Sequence, residues 1–245
     1  TNMAAIANET RSDLSGLEDE IRRVAKVSIN TAVEVAKTAT ALFALGQSKS
    51  QIENLLEPVT NLSIGLKTTS AEAGEFLVQT LNAFGASSEE AGKYADVIAT
   101  IRTSTSLDFQ KMRDSFQYLT PISRILNKDL AYTGAVIGIL ADNGLKAEQA
   151  GRLLGTAQQK LAKEGRSLAE ALEEVNDAQK RGVKEVELLK IASDLFGKQA
   201  AKVGVVLANN VDAIEKNSQA IRDNGGALDD LVNQQLESLD AKLKI

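Results

Sequence analysis

Apolar residues recur at three- and four-residue intervals along almost the whole chain, and no strand-like alternation runs longer than four residues. That period predicts helices throughout. Leu14, Leu17, Ile21 and Val24 form a heptad-like stripe. The stripe fades at Ser28 and Thr31 and resumes at Val35, so 13–45 reads as one long helix, or as two joined near Asn30, with Gly46 as the stop. A second stripe, Leu228, Val232, Leu236, Leu239 and Leu243, follows the linker-like Asn224-Gly225-Gly226.

Start and stop signals divide the rest. Ser50 with Glu53, Thr69 with Glu72, Ser87 with Glu90 and Ser167 with Glu170 have the capping-box spacing. Gly85, Gly144, Gly165 and Gly197 each follow an amphipathic run, where a left-handed residue ends a helix. The helices expected from these signals are 13–45, 51–65, 70–84, 88–103, 107–119, 121–126, 130–142, 147–164, 168–175, 183–196, 198–215 and 227–245. Short connections between amphipathic helices imply packing into a bundle. The fold class is therefore all-α: a compact multi-helix bundle flanked by longer coiled-coil-like helices. The expected division is 1–45 as an N-terminal heptad-like helix, 46–222 as a globular core module and 223–245 as a C-terminal helix. No short-period internal repeat is visible.

Composition narrows the chemistry. The two prolines, Pro58 and Pro121, leave long stretches free to be helical. There is no Cys and no His, which removes disulfides, thiolate nucleophiles, the usual zinc ligands and the commonest general base at neutral pH. The net charge of −5 gives no sign of a polybasic surface, so no specific nucleic-acid site is expected. The apolar stretches Leu130–Ala141 and Val203–Ala208 fall short of the roughly 20 residues of a membrane-spanning helix and read as core, so membrane contact is not expected. The chain starts at Thr1 and ends at Lys244-Ile245 inside an apolar-periodic run, which reads as a piece of a longer protein.

The remaining motifs read as structural. Phe84-Gly85 and Phe196-Gly197 place an aromatic core residue beside a helix stop. Gly134/Gly138 and Gly151/Gly155 strip bulk from a helix face and permit close crossing. The neighbouring carboxylates Glu89/Glu90, Glu173/Glu174 and Asp229/Asp230 point about 100° apart on a helix and do not converge on one substrate atom. Asp142-Asn143-Gly144 lacks the alternating ligands and distal Glu of a calcium loop. No catalytic, cofactor-binding or metal residues are assigned. Leu14, Leu17, Ile21, Val24, Leu228, Val232, Leu236, Leu239 and Leu243 are the self-association candidates, because a seam on a polar helix is commonly a helix interface.

Several blocks, in order, resemble the core region of phage tail tape measure proteins. They are the run Ala41–Glu53, the run Leu81-Asn-Ala-Phe-Gly-Ala-Ser-Ser-Glu-Glu-Ala-Gly-Lys-Tyr-Ala-Asp-Val-Ile-Ala, Gln117-Tyr-Leu-Thr-Pro-Ile-Ser with its Pro121, Asn143-Gly-Leu-Lys-Ala-Glu-Gln-Ala-Gly-Arg-Leu-Leu with Gly144 and Gly151, Asp194-Leu-Phe-Gly-Lys-Gln-Ala, and Asn233-Gln-Gln-Leu-Glu-Ser-Leu. Arg152 and Leu145-Lys146 depart from the family pattern. The resemblance implies a structural protein, not an enzyme, that sets tail length during assembly and leaves the tube at genome ejection. It implies residence in the tail lumen of the virion and, during assembly, in the host cytoplasm. The partners it implies are a few parallel copies of the chain, tail tube and tip proteins, and assembly chaperones. The rival readings are a generic bacterial all-α interaction module and a wall-degrading accessory segment.

Overall fold

Capping chemistry sets most helix boundaries. The computed structural model describes residues 15–105 and 107–243, apart from the side chains of residues 15 and 239–243. Among the described residues there are thirteen α-helices, a 3-10 turn at Ser88–Glu90, and no strand. They are α1 (Ser15–Val27), α2 (Ala32–Ala44), α3 (Lys49–Gly65), α4 (Ser70–Phe84), α5 (Ala91–Ser104), α6 (Phe109–Ile125), α7 (Leu130–Asp142), α8 (Ala147–Lys163), α9 (Leu168–Lys180), α10 (Glu185–Phe196), α11 (Ala201–Asn209), α12 (Val211–Asp223) and α13 (Ala227–Leu243). The boxes at Thr69 and Ser167 form as expected, each hydroxyl accepting the N–H of the Glu three residues on. Gly85, Gly144 and Gly165 adopt positive φ at helix ends, and Gly197 turns the chain after α10 at φ 85°.

The stretch 13–45 takes the second of its two expected forms, and four other boundaries differ from the periodicity reading. The N-terminal stretch 13–45 is two helices: the chain leaves α1 at Ser28, and Thr31 opens α2 with its own capping box to Glu34. The third helix is capped by Ser48 with Gln51, not by Ser50 with Glu53, because Ser48 holds the extended backbone of a cap. The helix does not stop before Pro121 but runs through it as α6. Leu119, Thr120, Ile122 and Ser123 around it are buried, and that burial outweighs the roughly 3 kcal/mol an interior proline costs. The expected 198–215 helix divides at Asn210, whose side chain bonds back to the Val206 carbonyl at 2.7 Å. The expected 168–175 helix continues to Lys180, with Val175 and Ala178 buried.

The helices form two compact units. The first comprises residues 1–103 and 224–245, the second 104–223. In the first, α3 is the central helix and packs against α1, α2, α4 and α13. Ile52, Leu55, Leu56, Val59 and Leu62 fill its core-facing positions and are fully buried. In the second, α6 packs on α7 and α8, and α12 lies along α7. Met112, Phe116, Ile137, Leu154 and Leu161 are core residues there.

A long-period repeat emerges from the structure. The N-caps Ser48, Asp108 and Ser167 are 60 and 59 residues apart, and each opens a helix–helix–helix sequence. Helices α3 and α6 have the same 17-residue length. Each ends in a leucine, then a non-glycine residue in the left-handed region: Lys67 at φ 55° and Asn127 at φ 54°. The carbonyls of Ile64 and Ser63 are bonded by the two N–H groups after Leu66, and those of Arg124 and Ser123 by the two after Leu126. Thr69 and Asp129 then cap α4 and α7, and Gly85 and Gly144 turn the chain into the third helix. Buried hydroxyls recur too, Thr60 and Ser63 matching Thr120 and Ser123. The triplet α9–α11 follows the same order with shorter helices.

Candidate functional site

Among the described residues no group of three or more His, Cys, Asp or Glu could hold a metal ion. No helix among them is long and apolar enough to cross a membrane. What the chain offers is helix surface, so the geometry that matters is which faces are spent on packing.

The stripe on α1 turns inward. Leu17, Ile21 and Val24 are buried, packed within the first unit where α1 lies on α2 and α3. Arg23 extends from the same helix to Glu57 of α3 at 2.6 Å while also holding Glu20. Those two carboxylates raise the Arg23 guanidinium well above its ordinary range. Leu14 lies outside the described residues. On α13, Leu228 is buried, whereas Val232 and Leu236 are half-buried and so keep part of the stripe open. The side chains of Leu239 and Leu243 lie outside the described residues. Exposed apolar side chains occur where periodicity singled out nothing: Val27, Ile29 and Val33 flank the α1–α2 break, each more than half exposed. They interrupt the stripe instead of extending it, so only the position of the break reveals them.

The docking of α13 depends on a residue the sequence reading passed over. Gly226 and Leu228 donate their N–H groups to the two carboxylate oxygens of Asp96 on α5, at 3.3 and 3.0 Å. Asp96 thus performs from another helix the capping that Gly226 cannot. Asn224 adds a bond to the Thr100 hydroxyl at 3.1 Å. One turn further along, Leu231 lies over Gly65, where an added Cβ would come within 2.9 Å of it.

In the second unit the glycine and aromatic motifs are structural contacts. A Cβ on Gly151 would meet the Tyr118 carbonyl oxygen at 2.6 Å, so α6 and α8 touch there backbone to backbone. Arg152, next in sequence, lies over the Tyr118 ring. Gly138 and Gly155 have open space around them and permit no crossing of this kind. Phe196 is buried and closes on Gly204, while in the first unit Phe84 is half-buried and meets Tyr94 with ring centroids 6.3 Å apart. Pro121 is exposed on α6. Asp129 caps α7 through the Tyr132 N–H at 2.9 Å and pairs with Arg222 of α12 at 2.7 Å. Burial pushes the Asp129 carboxyl upward, but Arg222 and the Tyr132 N–H outweigh it and hold the group below the ordinary range.

The described residues form an all-α chain in which helices, side-chain caps and glycine stops alternate in a regular order. The chain belongs to the phage-related minor tail protein family, whose model matches residues 18–234. It is 27% identical to the tape measure protein of Pneumococcus phage Dp-1 over 175 residues, covering 71% of this chain and 15% of that protein. It is 21% identical to the probable tape measure protein of Escherichia phage P2 over 260 residues, covering 95% of this chain and 32% of that one. The chain therefore spans less than a third of the length of either relative. No solved structure matches it.

Proposed function

We propose that the chain is a segment of a tape measure protein that sets tail length during assembly and leaves the tail tube at genome ejection. The observation that supports this is the family match across residues 18–234, together with the similarity to two tape measure proteins. The role asks for stable helical mass and contact surface, and not for an active site. A residue in an extended helix contributes about 1.5 Å of length. Residues folded into three-helix units contribute less, so this segment works as a folded module on a longer rod.

Copies of the chain associate in this reading through the α13 seam, with Val232 and Leu236 still partly open. The inward turn of Leu17, Ile21 and Val24 makes α1 the weaker candidate for that contact. Tube, tip and chaperone proteins meet the remaining exposed faces. The test is an in-frame deletion of the segment in the full gene, with tail length measured by electron microscopy. Shortened tails are the expected result. Tails of unaltered length refute the ruler role for these residues.

A further inference from the structure

The tripeptide Asp-Asn-Gly occurs twice, as Asp142-Asn143-Gly144 and as Asp223-Asn224-Gly225. An asparagine followed by glycine is open to attack on itself: the next backbone nitrogen can reach the side-chain amide carbon, because glycine has no Cβ to crowd the approach. Both asparagines and both glycines are exposed, so water reaches the two sites alike. The backbone around them differs.

At Asn143 the attacking nitrogen is held. The Gly144 N–H donates to the Ala141 carbonyl at 2.9 Å, and the Asn143 amide donates to the Ile139 carbonyl at 2.8 Å. The tripeptide is the end of α7, and both bonds must open before the ring can close. At Asn224 the attacking nitrogen is not held. The Gly225 N–H has no acceptor among the described residues. The Asn224 side chain makes a single bond among them, from Nδ2 to the Thr100 hydroxyl at 3.1 Å, which leaves Oδ1 to water.

We propose that Asn224 is a self-modification site, which deamidates through a cyclic imide and thereby loosens the docking of α13. Hydroxide takes the proton of the Gly225 N–H, and the nitrogen bonds to Cγ of Asn224. The Cγ–Nδ2 bond breaks, and Nδ2 leaves as ammonia with a proton from water. Water then adds to one of the two carbonyl carbons of the imide ring. Addition at Cγ breaks the new bond and gives an aspartyl residue. Addition at the main-chain carbonyl breaks the old peptide bond and gives an isoaspartyl residue, with the main chain running through Cβ and Cγ. Overall an amide and water become a carboxylate and ammonium, with no oxidation or reduction.

Either product disturbs the anchor of α13. A carboxylate has no N–H to give Thr100, whose hydroxyl also donates to the Asp96 carbonyl at 2.9 Å. It brings a second negative charge toward the Asp96 carboxylate that receives the Gly226 and Leu228 N–H groups. The isoaspartyl form also lengthens the main chain by one carbon just before Gly226, and bonds already at 3.3 and 3.0 Å do not survive a shift of that size. Leu228 and Leu231, buried beside this anchor, lose their hold with it.

The test is incubation of the purified 245-residue chain in mildly alkaline buffer, with peptide mapping by mass spectrometry for the gain of one dalton at each asparagine. Rates are divided by those of the same sites in urea, which removes the effect of neighbouring residues. In the folded chain Asn224 then reacts at least about tenfold faster than Asn143, since each of the two bonds at Asn143 slows opening by a factor of roughly five. Equal rates, or a faster reaction at Asn143, overturn the site. Gly225→Ala is the control: its φ lies outside the left-handed region and an added Cβ meets nothing within 4 Å, so the fold accepts it while the methyl hinders the attack. It suppresses the reaction at Asn224 and leaves Asn143 unaffected. Hydrogen exchange on aged protein reads the consequence. Exchange in α13 accelerates about tenfold in the modified fraction of wild type, for the loss of two bonds, while α6 and α7 and the aged Gly225→Ala variant keep their protection. Full protection of α13 in protein modified at Asn224 overturns the loosening.

Discussion

Asp129 and Arg222 stand 93 residues apart in sequence and 2.7 Å apart in space, and the same carboxylate that holds the guanidinium also caps α7. Two roles in one side chain make them separable by substitution. Asp129→Asn keeps an oxygen for the Tyr132 N–H but loses the charge, whereas Asp129→Ala loses both. The ion pair is partly exposed, so its removal costs about 0.5–1 kcal/mol after solvent screening. The Ala variant costs a further ~1 kcal/mol for the missing cap. Chemical denaturation of the three proteins at neutral pH checks the order.

The same pair gives a pH dependence of known sign. The folded-state carboxyl of Asp129 is held below its unfolded value, burial being outweighed by Arg222 and the Tyr132 N–H. Its contribution is therefore present above the unfolded pKa and is lost as pH falls through the lowered folded one. Wild type and Asp129→Asn differ in melting temperature at pH 7, and the gap closes as the acid range is entered. A gap that stays constant to the lowest pH at which the chain folds contradicts the pairing.

Gly151 and Gly155 separate close approach from mere smallness. Both lie in α8, one turn apart. An added Cβ at Gly151 strikes backbone atoms of Tyr118 that cannot rotate away, so Gly151→Ala costs about 1–3 kcal/mol. At Gly155 nothing lies within 4 Å, and Gly155→Ala gains about 0.5–1 kcal/mol from lower unfolded-state entropy. Opposite signs in parallel urea titrations are the expected outcome.

Removal of the Asp96 carboxylate loosens α13 selectively. Asp96→Ala strands the N–H groups of Gly226 and Leu228 and costs about 1–2 kcal/mol. Because the loss is local, hydrogen exchange accelerates in α13 while α6 and α7 keep their protection. Uniform acceleration across the chain contradicts a local anchoring role.

These features differ in how far the sequence reveals them. Thr69–Glu72, Ser167–Glu170 and the glycine stops are legible because cap and partner lie within one turn, where spacing is the mechanism. Pro121 misleads because its local cost is visible and the burial of Ile122 and Ser123 that offsets it is not. The α1 stripe is legible as a seam but its occupant is not: periodicity shows that Leu17, Ile21 and Val24 seek cover, and only tertiary structure shows them covered within the same unit. Asp96 has no local signal at all, since the N–H groups that donate to it lie 130 and 132 residues away. The long repeat escapes notice because equivalent positions conserve environment more than identity. Thr69 and Asp129 are different residues doing the same capping, and Lys67 and Asn127 share a backbone conformation and little else.

That last pair supplies the test of the repeat frame. Lys67 sits at φ 55°, where a side chain with a Cβ is disfavoured, and the same place in the next repeat holds Asn127 at φ 54°. Asn tolerates the left-handed region better than Lys because its short polar side chain bonds locally. If the two turns are one structure used twice, each accepts the other's residue. Lys67→Asn stabilises the first turn by a few tenths to about 1 kcal/mol, in the range of favourable backbone substitutions. Asn127→Lys costs a similar amount in the second turn. The double exchange is close to neutral, because the sites are separate and such effects add. Equilibrium unfolding of the two single variants and the double variant measures all three. A destabilised Lys67→Asn means the two turns differ in backbone geometry and the repeat does not extend through them.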